Sequence, residues 1–89
     1  MTVIHKKSYN PYFEKVMRGE KKFDLRLADF EVSSGDVIVF EEYDEATRQP
    51  TGRVSEHRVG YVLRTKDLNY WTPEQIAESG LVVMQLEDM

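Results

Sequence analysis

The chain has 89 residues, 40 % of them hydrophobic and 11 % aromatic, enough apolar material for one small core and too much for a disordered segment. It has no cysteine and only two histidines, His5 and His57, so disulfides, thiolate metal sites and a cysteine nucleophile are excluded, and no metal or other cofactor is expected. The net charge of −4 argues against loose adhesion to nucleic acid, but it is unevenly spread: residues 1–27 hold seven Lys/Arg against three acids, and the rest hold five against thirteen, so a local basic face could still hold a phosphate-bearing ligand.

One domain over residues 1–89 is expected. No apolar run approaches the roughly 18 residues of a membrane span, and Met1-Thr2-Val3-Ile4-His5 lacks a signal-peptide core. A soluble, cytoplasmic monomer without membrane contact is the expectation.

Residues 3–7 read as a first strand. Asn10 can cap a helix with its side-chain oxygen, and Pro11 suits the first helical position because no hydrogen bond is needed there. Tyr12, Phe13, Val16 and Met17 then recur at spacings of three and four, which predicts an apolar stripe packed on a sheet. Gly19 is a natural left-handed stop. Residues 21–26 alternate charged with apolar, the period of a half-buried strand, with Phe23 and Leu25 facing one way and Lys22, Asp24 and Arg26 the other. Such a row of charges is either a solvated strand face or the floor of a cleft that receives something polar.

Ser33-Ser34-Gly35-Asp36 is turn chemistry, and Val37-Ile38-Val39-Phe40 is apolar on both faces, as a central strand would be. It continues into Glu41-Glu42-Tyr43. Residues 44–52 form a polar hairpin loop, and residues 53–64 a long strand bent near Gly60. A loop carrying Tyr70 and Trp71 leads to Thr72-Pro73-Glu74-Gln75, a capping-box start for a short helix that ends at Ser79-Gly80. Residues 81–86 close the chain as a strand. The elements predict an α+β fold with five or so mostly antiparallel strands in a curved sheet or partly closed barrel, one main helix and one short helix.

Gly19, Lys21, Asp24 and Arg26 directly after a short helix, followed by Gly35-Asp36 opening an apolar strand, resemble the ASCH domains of the PUA-like superfamily. Phe40-Glu41-Glu42-Tyr43-Asp44 and Thr51-Gly52-Arg53 resemble the small prokaryotic and phage ASCH-like proteins of the DUF3850 type. The resemblance covers nearly the whole chain. It implies a small PUA-like β-barrel of about five to six strands, with a cleft between barrel and first helix that binds RNA or a nucleotide. It also implies a second activity, because some compact members are amidohydrolases that remove the acyl group from N4-acetylcytidine. Their lysine matches Lys21; where they carry a threonine this chain has Asp24, and their glutamate could correspond to Glu41, Glu42 or Glu74.

The leading expectation is therefore an RNA- or nucleotide-binding domain using Lys7, Tyr12, Lys21, Asp24, Arg26, Glu41 and Trp71. Arg26 offers a planar fork for phosphate or a base edge, unless it is spent on an ion pair with Asp24, Asp29 or Glu41. Lys7 would add a phosphate contact, and Tyr12 and Trp71 could stack on bases for about 1–3 kcal/mol each, although a lone Trp commonly plugs a core. In the enzyme alternative Lys21 and Asp24 are the catalytic pair, Lys21 as base or oxyanion-stabilising cation, and no Ser, Cys or metal constellation is evident. A third expectation is a protein-interaction module that meets its partner through the acidic remainder.

Overall fold

In the computed structural model, which describes residues 1–89, the chain runs β1 (Val3–Ser8), α1 (Tyr12–Met17), β2 (Val37–Tyr43), β3 (Pro50–Arg58), a 3-10 turn at Thr65–Asp67 and α2 (Pro73–Ser79). β2 lies in the middle of a three-stranded sheet of order β1-β2-β3. It pairs parallel with β1, Ile4 opposite Ile38 and Lys6 opposite Phe40, and antiparallel with β3, Phe40 opposite Ser55 and Ile38 opposite His57. The parallel pair needs a long crossover, which α1 and residues 18–36 supply.

The core is small and sits where α1 meets one face of β2. Phe13, Val16, Ile38 and Phe40 are buried together, with Val59 packed against them. Phe13 and Val16 lie three apart on the helix, and Ile38 and Phe40 two apart on the strand, so each pair shares a face. Tyr12 and Met17, expected in the same stripe, are exposed, because a six-residue helix presents only one narrow row to a sheet this size. The helix starts one residue later than expected, with Pro11 at the N-cap and not at the first helical position, and Asn10, one residue before it, still accepts from Glu14 N through Oδ1 at 3.1 Å.

The expected barrel is not formed. The sheet is open, one of its two pairings is parallel, and three segments read as strands lie outside any ladder: residues 21–26, the continuation from 59 to 64, and residues 81–86. Alternation says which way side chains face in an extended chain, but not whether a neighbouring backbone is in reach to accept its hydrogen bonds. After Gly19 the backbone is tied to the helix instead, with Glu20 N and Lys21 N both donating to Lys15 O at 2.9 and 3.0 Å. Beyond Arg58, Val59 still bonds Asp36 O at 2.7 Å and returns its carbonyl to Gly35 N at 2.8 Å, and the pairing ends at Gly60. The last segment meets residue 22 only through the Gln85 side chain, which accepts from Lys22 N.

The hairpin loop is shorter than expected, because β3 begins at Pro50. Asp44 nucleates it by accepting from Ala46 N and Thr47 N, both at 2.9 Å, an Asx turn. α2 carries the expected capping box: Gln75 N donates to Thr72 Oγ1 at 3.2 Å, and Thr72 N donates to Gln75 Oε1 at 2.9 Å. No residue of α2 is buried, so tertiary packing contributes little to it and the cap contributes much. Thr72→Ala removes about 1 kcal/mol from the helix. The expected result is faster amide exchange and lost helical Cα shifts over residues 73–79, with the melting temperature of the sheet almost unchanged.

Candidate functional site

The end of α1, the irregular segment that follows it and residues 59–65 stand around the β2–β3 face and enclose a cleft of about 730 Å³. Ile38, Phe40 and Val59 make its floor, and Phe23, Phe30 and Leu63 add apolar wall. Five basic residues line it, Arg18, Lys21, Lys22, Arg26 and Arg64, against the one acid Asp24. In a chain of net charge −4, this is a strong local inversion of sign.

Asp24 is committed to Arg26. The Arg26 Nε donates to Asp24 Oδ2, and Nη2 donates to Oδ1 at 3.1 Å, a two-pronged pair in which each side chain is only about a quarter exposed. Arg26 Nη1 reaches the Lys7 carbonyl oxygen at 3.4 Å, and the guanidinium lies 5.4 Å from the centre of the Phe40 ring. The arginine is thus held at three sides, and ordering it on a ligand costs little further side-chain entropy. Lys21 sits with Nζ 5.4 Å from the Tyr12 ring and 5.0 Å from the Phe23 ring, positions that favour a cation over aromatic faces.

The geometry brings together Lys21, Asp24 and Arg26 and leaves the other expected site residues outside. Tyr12 stands at the rim beneath Lys21 and does not line the cleft. Lys7 contributes its carbonyl oxygen; its ammonium lies 4.7 Å from the Tyr43 ring. Glu41 pairs with His5 across the strands at 3.2 Å. Trp71 packs edge-on against Tyr70 at 5.6 Å between centroids, half-exposed and away from the cleft. None of Glu41, Glu42 and Glu74 lines it.

A family comparison matches residues 4–86 to the family described as Domain of unknown function (DUF3850). The chain belongs to that family. No curated protein and no solved structure matches it. The DUF3850 match runs from β1 almost to the chain end, so it takes in every residue of the cleft. No three His, Asp or Glu side chains come together as a metal-binding group, and no helix is long and apolar enough to cross a membrane.

Two constellations of this DUF3850 domain escape sequence reasoning. Glu42, 6 % exposed, accepts from Asn10 Nδ2 and Thr51 Oγ1, each at 2.6 Å, and from Arg53 Nε and Nη2, each at 3.0 Å. Arg53 also reaches Glu14 and stacks 5.2 Å from the Phe13 ring. These donors, the Arg53 guanidinium first and then the Thr51 hydroxyl, hold the Glu42 carboxyl down at about 2, against an ordinary 4.5, and the carboxylates of Glu42 and then Glu14 raise Arg53 in turn. The cluster joins the β1–α1 turn, α1 and the β2–β3 hairpin, and it is internally satisfied. Its signal in the sequence is parity: Glu42 continues the inward row of Ile38 and Phe40, and an acid on an inward row requires a cationic partner.

The second constellation is on β3. Ser55 Oγ and His57 Nε2 share a hydrogen bond of 2.6 Å, and His57 lines the cleft 5.9 Å from the Phe40 ring. Two residues apart in a strand, they share a face, but that spacing carries no meaning until the strand is known to border a cleft.

Proposed function

We propose that the cleft binds a nucleotide or a short single-stranded RNA segment through its phosphate. The observation that carries this reading is the five-to-one excess of basic over acidic residues lining one cleft of an acidic chain, with the single acid already paired to Arg26. Lys21 and Lys22 supply ammonium charges for phosphate oxygens, while Arg26, with Nε and Nη2 taken up by Asp24, leaves only its Nη1 edge to a ligand. The exposed Phe23 ring in the cleft wall suits a base, and the volume lies within the range of about 300–1,000 Å³ typical of small-ligand sites. The likeness of Gly19, Lys21, Asp24 and Arg26 to the ASCH pattern supports the same reading, and kinship with ASCH-type proteins is part of the proposal.

Its test is an NMR titration of labelled protein with nucleosides, nucleoside monophosphates, N4-acetylcytidine and short RNAs. Shifts clustered at Lys21, Lys22 and Arg26 that weaken as salt rises are expected, with the phosphorylated ligands ahead of the nucleosides. Loss of the acetyl signal of N4-acetylcytidine would instead establish a hydrolase. If no member of the panel moves those residues, the reading is wrong.

A further inference from the structure

We infer that Ser55 and His57 form a nucleophile–base pair that hydrolyses carboxylic esters bearing an anionic group, at the edge of the cleft that His57 lines and Ser55 adjoins. The inference rests on the reading of the cleft as an anion site only for the charged end of the ester. Three observations converge on the Phe40 ring. Ser55 is its cross-strand register partner on β3. His57, bonded to Ser55 at 2.6 Å, lies 5.9 Å from the ring centre, and the Arg26 guanidinium lies 5.4 Å from it.

A serine within hydrogen-bond reach of an imidazole is the minimal arrangement for an activated hydroxyl. Imidazole is the side chain suited to take and return a proton near neutral pH. Arg26 lies on the same ring with Nε and Nη2 taken up by Asp24, so only its Nη1 edge, 3.4 Å from the Lys7 carbonyl oxygen, is left to face a carbonyl oxygen that gains negative charge.

The chemistry closes without a co-reactant other than water. As Ser55 Oγ bonds to the acyl carbon, its proton passes to His57 Nε2. The tetrahedral adduct collapses, the bond to the alkoxy oxygen breaks, and His57 gives that proton to the departing alcohol. Water then adds to the acyl-Ser55 carbon with His57 taking one of its protons, that proton returns to Ser55 Oγ as the carboxylic acid leaves, and the acid gives its own proton to solvent.

The experiment exposes the full chain to an alkyl fluorophosphonate and maps the adduct by peptide mass spectrometry, beside turnover of a carboxylate-bearing and a neutral 4-nitrophenyl ester. A single adduct on Ser55 is expected, with turnover abolished in Ser55→Ala, partly restored in Ser55→Cys and slowed roughly 10²-fold or more in His57→Gln. The anionic ester is expected to be the better substrate. If Ser55 is unmodified in the folded wild type, or if Ser55→Ala turns over esters at the wild-type rate, the pair is not catalytic. If Ser55 is modified but the anionic ester has no advantage, the nucleophile stands and the anion reading of the cleft falls. Ser55→Ala must melt with the wild type, and fluorophosphonate labelling of the wild type decides the matter even if it does not.

Discussion

Glu42→Gln is expected to lower the melting temperature by on the order of 10–20 °C at neutral pH. The substitution keeps the shape of the side chain but removes the charge that four donors converge on: Asn10 Nδ2, Thr51 Oγ1 and two nitrogens of Arg53. The variant amide brings donors of its own into a pocket already full of them, and Arg53 keeps only Glu14 as a charged partner. Because Phe13, the most deeply buried side chain, carries the Arg53 guanidinium over its ring, loosening the arginine also uncovers the core.

The same cluster sets a pH dependence. Folding holds the Glu42 carboxyl at about 2 against an ordinary 4.5, so the folded protein favours the ionised form. That stabilisation is complete above pH 4.5, fades as pH falls below it and is lost on passing about 2. Asp36, held down chiefly by the backbone N–H groups of Thr2 and Ser33, and Asp44, by those of Thr47 and Ala46, act in the same direction. Thermal melts from pH 7 to pH 2 should therefore show a falling acid limb in the wild type and a shallower one in Glu42→Gln, with the two curves converging at the acid end. Parallel curves would mean that Glu42 titrates alike in the folded and unfolded chain.

The double variant Lys21→Glu, Arg26→Glu is expected to weaken binding of a nucleoside monophosphate or short RNA by roughly 100-fold or more, and to flatten the salt dependence by about one unit for each lost phosphate contact. Arg26→Glu places a carboxylate beside Asp24 and so turns an ion pair into two like charges; Lys21→Glu reverses the charge over Tyr12 and Phe23. Lys7→Glu is the matching control. Its ammonium lies over Tyr43, outside the cleft, and affinity should change by less than about twofold, since an exposed charge that does not line the site is screened by salt. Equal losses in both variants would point to a diffuse charge effect instead of a site.

The cleft residues were legible for a reason that differs from the one the pattern suggested. Strand alternation puts Lys22, Asp24 and Arg26 on one face and Phe23 and Leu25 on the other, yet residues 21–28 form no ladder and both sets line the cleft. An irregular chain lying along a cleft is not bound to a period of two. The concentration of basic residues in the first third was the robust signal, because charge density survives a change of secondary structure. Lys7, Glu41 and Trp71 stand outside the cleft, because neither nearness in sequence nor residue type determines which side of a sheet a side chain occupies.

What the sequence determined by itself is local. The apolar run at Val37-Ile38-Val39-Phe40 dictates a central strand, the three-residue spacing of Phe13 and Val16 a helix face, Gly19 a stop, and Thr72 with Gln75 a capped start, since each depends on neighbours a few residues away. Tertiary structure alone decided the number of strands, the parallel pairing of β1 with β2, the open edges in place of a barrel, and the meetings of Glu42 with Arg53 and of Arg26 with the Phe40 ring. Those depend on which distant backbone is free to accept a hydrogen bond and which distant residue meets a buried charge, and no periodicity within one segment records either.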